Sequence, residues 1–146
     1  MSVENLKLQE VVSVFIRSNN GSYLLQLRDK KPSIAFPGHW GLFGGAIENG
    51  ESVCEAASRE LEEEIGYRAN SMKEITEIHP CIGYSDERMW IYLAEELTYT
   101  KTNQDLDEFL ELMPTELSDS VGMVWSGKIT DVKSIIGILW ANRLLN

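Results

Sequence analysis

Apolar positions along the chain change their spacing several times, and each change predicts an element. Val11 to Arg17 reads Val-Val-Ser-Val-Phe-Ile-Arg, a β-branched run that predicts a buried strand. Asn19-Asn20-Gly21 is a turn signal and Tyr23 to Leu27 resumes strand character, so the two runs predict a hairpin. Residues 28–39 hold Arg28, Asp29, Lys30, Lys31, two prolines and Gly38, and predict an irregular loop. Trp40 to Phe43 is a short apolar segment ending at Gly44-Gly45. From residue 52 the period lengthens. Val53, Ala56, Ala57 and Leu61 recur at three and four, which predicts a helix over 52–64 with Gly66 as its C-cap. Ile75 to His79, Met89 to Leu97 and Phe109 to Met113 predict strands, with a polar acidic loop over 98–108. Pro114 opens a short helix. Thr130 or Asp131 caps a last one, with Val132, Ile135, Ile136 and Leu139 on one face. Helices and strands are interleaved and the first hairpin is antiparallel. The expected class is therefore α/β, a mixed sheet with helices packed on its faces.

Length and composition narrow this without changing it. One domain is expected over residues 1–146, with no repeat and no linker. Apolar residues are 43% of the chain and charged residues 25%, so a substantial core is expected. Thirteen Lys and Arg against 23 Asp and Glu give a formal charge of −10. Such a chain is a poor non-specific binder of nucleic acid or anionic lipid. If its substrate carries phosphates, a divalent metal is the obvious source of positive charge. Cys54 and Cys81 form neither a disulfide framework nor a zinc motif, and read as two buried thiols in a reducing compartment. Met1 to Glu10 has no signal-peptide pattern and no apolar run is long enough to span a bilayer, so a soluble cytoplasmic protein is expected.

The chemistry is concentrated between Glu48 and Glu64. Seven glutamates fall there, with Arg59 the only base among them. Helix residues succeed one another at about 100°, so Glu60, Glu63 and Glu64 share one face while Glu62 points elsewhere. Three carboxylates on one face repel one another. The arrangement is costly unless a hard cation neutralises it, and Mg²⁺ or Mn²⁺ suits all-oxygen ligands. An exposed acidic helix face is the plain alternative. Gly44-Gly45 before the helix, a place for close backbone approach, and Arg59, able to orient a carboxylate, weigh against it.

Residues 45–67, G-A-I-E-N-G-E-S-V-C-E-A-A-S-R-E-L-E-E-E-I-G-Y, resemble the Nudix box, G-x5-E-x7-R-E-U-x-E-E-x-G-U, with U a bulky aliphatic residue. Gly45, Glu51, Arg59, Glu60, Leu61, Glu63, Glu64 and Gly66 fall on it, and Tyr67 departs from the last U. The resemblance implies the Nudix fold and hydrolysis of a nucleoside diphosphate linked to another group. It implies metal ligation by Glu60, Glu63 and Glu64 with the Gly44 carbonyl, supported by Glu51 and Arg59. It also implies a general base from a loop outside the box, for which the candidates are Glu87 and the acidic trio Asp105, Asp107 and Glu108. The segment His79 to Glu87 is similar to the Pro-x-Pro-Gly-x-Ser-x-Glu of ADP-ribose and nucleotide-sugar pyrophosphatases, with Ile82 in place of the second proline. Residues 126–133 resemble the ending of those enzymes. The implied substrate is thus ADP-ribose or a nucleotide sugar. An NTP-cleaving pyrophosphohydrolase is the alternative, and a homodimer is the family's usual assembly. Arg28 is placed to contact a phosphate. Trp40 and Phe43 either stack on a base or form core, and the second is commoner. His39 reads as loop surface, and Trp90, Trp125 and Trp140 as packing.

Overall fold

The computed structural model describes residues 9–100 and 110–146. Strand β1 (Glu10–Arg17) is the axis of a seven-stranded mixed sheet. It pairs in parallel with β6 (Arg88–Tyr99), which pairs antiparallel with β5 (Tyr67–Ile78). On its other side β1 is shared. Residues 11–14 pair antiparallel with β4 (Phe43–Ala46), and only Ile16 and Arg17 pair with β2 (Tyr23–Arg28). Strand β2 carries β3 (Trp40–Gly41) on one edge and β7 (Leu110–Thr115) on the other. The sheet therefore splays between β2 and β4, and the chain crosses the split at Leu42.

That crossing is held by side chains, because neither ladder takes the Leu42 peptide. Its N–H donates to Ser134 Oγ at 3.1 Å, and its carbonyl accepts from Gln26 Nε2. Ser134 lies in the first turn of α3 (Val132–Leu145), whose N-cap is Asp131. Removing the hydroxyl leaves a buried N–H without an acceptor, at a cost of about 1–3 kcal/mol. Ser134→Ala is expected to lose that much in a urea melt. A change below about 0.5 kcal/mol, the range of a neutral surface substitution, would show that another group holds the crossing.

Both sheet faces are covered, so the strands read as continuous apolar runs. Val12, Val14 and Ile16 point to one face and pack, with Phe43, Trp90 and Tyr92, against Ala56, Ala57, Leu61 and Ile65 of α1 (Val53–Ile65). Phe15, Leu25, Leu42, Ile91 and Leu93 point to the other, against Ile138 and Ala141 of α3 and Val124 of α2 (Leu117–Trp125). This is the expected sheet between helices. Among the described residues no helix is long and apolar enough to cross a membrane.

Several expectations change. The β5 strand begins at Tyr67, directly after α1, and a bulge between Glu74 and Thr76 keeps it in register with β6. The expected apolar face of α3 is rotated: its buried residues are Ser134, Gly137, Ile138 and Ala141, whereas Val132 is exposed. Small residues serve there because the helix lies close to Leu42; a Cβ on Gly137 would stand 2.9 Å from its Cδ1. The cysteines are not two buried thiols. Cys54 is exposed on α1 and Cys81 is half-buried in the turn before β6, both unbridged. Trp90 does pack in the core, but Trp125 and Trp140 are largely exposed.

Candidate functional site

Strand β4 brings two glycines to the edge of α1. Gly44 has φ +154° and lies so close to β1 that a Cβ would collide with the Val12 carbonyl. Gly45 faces the helix, and a Cβ there would stand 2.8 Å from Glu60 Cδ and run into its carboxylate. The missing side chain is what lets the Glu60 carboxylate lie against the β4 backbone. The helix behind it starts at a capping box, in which the Ser52 hydroxyl accepts from Glu55 N–H and the Glu55 carboxylate from Ser52 N–H.

Arg59 is the hub of the cluster. Its Nε and Nη2 fork Glu51 at 2.7 and 3.0 Å, and Nη2 also donates to the Ala46 carbonyl at 3.0 Å. Nη1 reaches Glu60 at 3.0 Å and Glu63 at 3.2 Å, with Glu48 at 3.8 Å. One guanidinium thus ties the loop before α1, the end of β4 and the helix itself. Arg59 and Glu51 are mostly buried, with side chains 22% and 14% exposed. Glu51 is held below the ordinary carboxylate range by its hydrogen bond from Arg59. Arg59 is pushed upward, chiefly by Glu51, and stays a cation throughout the working range. Glu60 goes the other way. Its carboxylate is raised, because burial outweighs the hydrogen bond and charge of Arg59. Glu62 turns off this face toward Arg68, at 3.8 Å.

Among the described residues no three His, Cys, Asp or Glu side chains stand close enough together to enclose a metal ion. Glu60 and Glu63 instead converge on the same nitrogen of Arg59. The donor set nevertheless fits a hard cation in kind. It is all oxygen, it is spaced i, i+3 and i+4 on one helix face, and the Gly45 cradle holds Glu60 at the strand. Glu63 is 61% exposed, so its side chain can turn without loss of packing.

Of two clefts, the first adjoins this cluster through Ala46, Glu48 and Glu51, and the second lies at the start of α3, the helix on the other face of the sheet. The first, about 850 Å³, is lined by Gln9, Glu10, Ala46, Glu48 and Glu51. The Arg88 N–H donates to the Gln9 carbonyl at 2.8 Å, which puts Glu87, the preceding residue, beside this cleft. Asp105, Asp107 and Glu108 lie outside the described residues. The other cleft, about 510 Å³, lies between β2, β3 and the start of α3 and is lined by Gln26, Arg28, His39, Trp40, Asp131 and Lys133 among others. Arg28 and Trp40 thus line a cavity as a substrate contact must. Phe43 does not: it is fully buried beneath α1, so of its two readings, base-stacking ring or core, the structure gives core. His39, read as loop surface, lines the cavity too. Gln26 and the Ala46 carbonyl carry no signal in the sequence, since their placement depends on the crossing at Leu42.

With this geometry in view, the comparisons with known proteins are specific. Residues 7–126 match the model of the NUDIX domain family, and the chain belongs to that family. It is similar to an ADP-ribose pyrophosphatase of Bacillus subtilis (strain 168), 32% identical over 141 residues, covering 92% of this chain and 73% of that protein. It is also similar to nucleoside triphosphatase NudI of Escherichia coli O139:H28 (strain E24377A / ETEC), 40% identical over 116 residues, covering 68% of this chain and 78% of the relative. A solved structure described as an ADP compounds hydrolase matches with TM-score 0.83 at 23% identity, over 97% of this chain and 75% of that one, and supports the fold. The chain is accordingly a Nudix pyrophosphohydrolase acting on a nucleotide-type substrate, a class that works with a divalent metal.

Proposed function

We propose that this enzyme hydrolyses the diphosphate of ADP-ribose or a nucleotide sugar, giving a nucleoside monophosphate and a sugar phosphate. The observation that carries the proposal is the Arg59-centred carboxylate cluster at α1, in which one guanidinium holds Glu51, Glu60 and Glu63 together. The Bacillus subtilis relative supports the choice of substrate. In this reading Glu60, Glu63 and Glu64, with the Gly44 carbonyl, would hold Mg²⁺ or Mn²⁺. When bound, the metal polarises phosphoryl oxygens and lowers the pKa of water. Arg59 and Glu51 act on position: the fork fixes the loop against the helix, so Glu60 and Glu63 are presented from one rigid frame. Glu87 or Asp105 takes the proton of the attacking water. Arg28 and Trp40 contact the nucleotide, Arg28 by charge and Trp40 by its ring. We place the enzyme in the cytoplasm, as one domain and as a homodimer.

The similarity to NudI favours a second reading, cleavage of a nucleoside triphosphate to a monophosphate and pyrophosphate. Both readings share the metal site. Binding to the folded state alone stabilises it by mass action, by about 2.7 kcal/mol at a hundred times Kd. The melting temperature is therefore expected to rise by several degrees in millimolar Mg²⁺. An unchanged melting temperature would speak against the assigned ligands.

A further inference from the structure

The carbonyl proposed above as a metal ligand belongs to a residue that cannot aim itself. Gly44 has no side chain and takes φ +154°, so its direction is set by the chain around it. The three peptide groups that precede its carbonyl are each held by a side chain. Ser134 Oγ accepts the Leu42 N–H at 3.1 Å, Gln26 Nε2 donates to the Leu42 carbonyl, and the buried Ser13 hydroxyl donates to the Phe43 carbonyl at 3.3 Å. These three holders come from α3, β2 and β1. Ser134 is itself fixed. Its hydroxyl donates to Asp131 Oδ2, which also accepts the Ser134 N–H at 3.2 Å, so a lone pair of Oγ is left facing Leu42. Leu42 packs among the residues that face α3 and Phe43 among those that face α1, so the chain changes sheet faces between them. The series of held peptides ends at Gly44, one residue before the glycine that cradles Glu60.

We infer that Ser134 and Gln26 are positioning residues for the metal: by holding the peptide groups on either side of Leu42, they aim the Gly44 carbonyl at the ion. The inference rests on the ligand set proposed above. It extends that set to the opposite face of the sheet, since the glutamates lie on α1 and Ser134 on α3. A glutamate ligand follows an ion by turning about its side-chain bonds, whereas a backbone carbonyl moves only with its chain. Without the Ser134 hydroxyl the buried Leu42 N–H lacks an acceptor, and the crossing shifts to find one, carrying Gly44 with it. Without the Gln26 amide the Leu42 carbonyl is released from β2 in the same way. Loss of a group that orients a metal ligand typically weakens binding about 10–100-fold.

Titration of the metal-free full chain with Mn²⁺, followed by loss of the free ion's paramagnetic resonance signal, tests this. Ser134→Ala and Gln26→Met are each expected to weaken the tightest Mn²⁺ site about tenfold. Ala141→Gly weakens the same helix about two turns further along, away from the crossing. It is expected to lower the melting temperature and to leave the Mn²⁺ affinity unchanged. Wild-type affinity in either Ser134→Ala or Gln26→Met would overturn the inference. So would an equal loss in Ala141→Gly, which would reduce the effect to a general loosening of α3. If one of the two variants does not fold, the other decides by the same comparison. The two proposals fail separately. A wild type that binds no Mn²⁺ overturns the assigned ligands and the inference with them. Equal binding by wild type and both variants overturns the inference alone.

Discussion

Glu63→Gln and Glu64→Gln are each expected to reduce kcat by about 10²–10³-fold or more while leaving the melting temperature of the metal-free protein almost unchanged. The substitution keeps the shape and removes the charge. Glu63 is exposed and Glu64 only partly buried, so neither holds the core together. The charge matters because an oxygen cluster without a formal negative charge binds a hard cation poorly. Kinetics at saturating Mg²⁺, beside a thermal melt in chelator, separates the effects. A variant with near-normal turnover would remove its residue from the site. A variant that loses activity only as it loses its fold would assign that residue a structural role.

Glu60→Gln carries the second large effect, with opposite signs for activity and stability. Burial raises the Glu60 carboxylate despite Arg59 beside it, so its ionised form is less favourable in the folded chain than in the unfolded one. For a carboxylate raised in this way, the destabilisation is fully present above its folded-state pKa. It disappears as the pH falls below the unfolded value of about 4.3. The glutamine removes that cost at neutral pH and still accepts from Arg59 Nη1. The metal-free variant is therefore expected to melt higher than wild type at pH 7, with the gap closing toward pH 4. Its turnover is expected to fall by about 10²-fold or more. Strain at a functional site of this kind is common, since activity is retained at the expense of stability. A lower melting temperature at pH 7 would show that the Glu60–Arg59 pair stabilises the fold on balance.

The site was more legible in the sequence than the scaffold around it. Glu60, Glu63 and Glu64 stand at intervals that a single helix turns into one face, with Arg59 among them as the hub that also reaches Glu51 in the preceding loop, so spacing conveys much of the arrangement. The capping box Ser52-x-x-Glu55 is equally local, although it was not among the expectations. Other features depend on which strands lie side by side. The split between β2 and β4, the transfer of Leu42 to Ser134 and Gln26, and the placement of Phe43 under α1 are all long-range. The α3 helix shows the limit of an apolar count. Its buried face is built from Ser134, Gly137 and Ala141, since close approach to the sheet selects small side chains over greasy ones.

The most direct test of the central claim is a product assay of the purified chain with Mg²⁺, on ADP-ribose, ADP-glucose, GDP-mannose and the ordinary NTPs, with chromatographic identification of the products. The account predicts a monophosphate together with ribose 5-phosphate or the matching sugar phosphate, abolished by chelator. A monophosphate with pyrophosphate, from triphosphates alone, would contradict the proposed substrate and move the enzyme to the triphosphate reading. Absence of turnover on the whole panel would contradict the reaction itself.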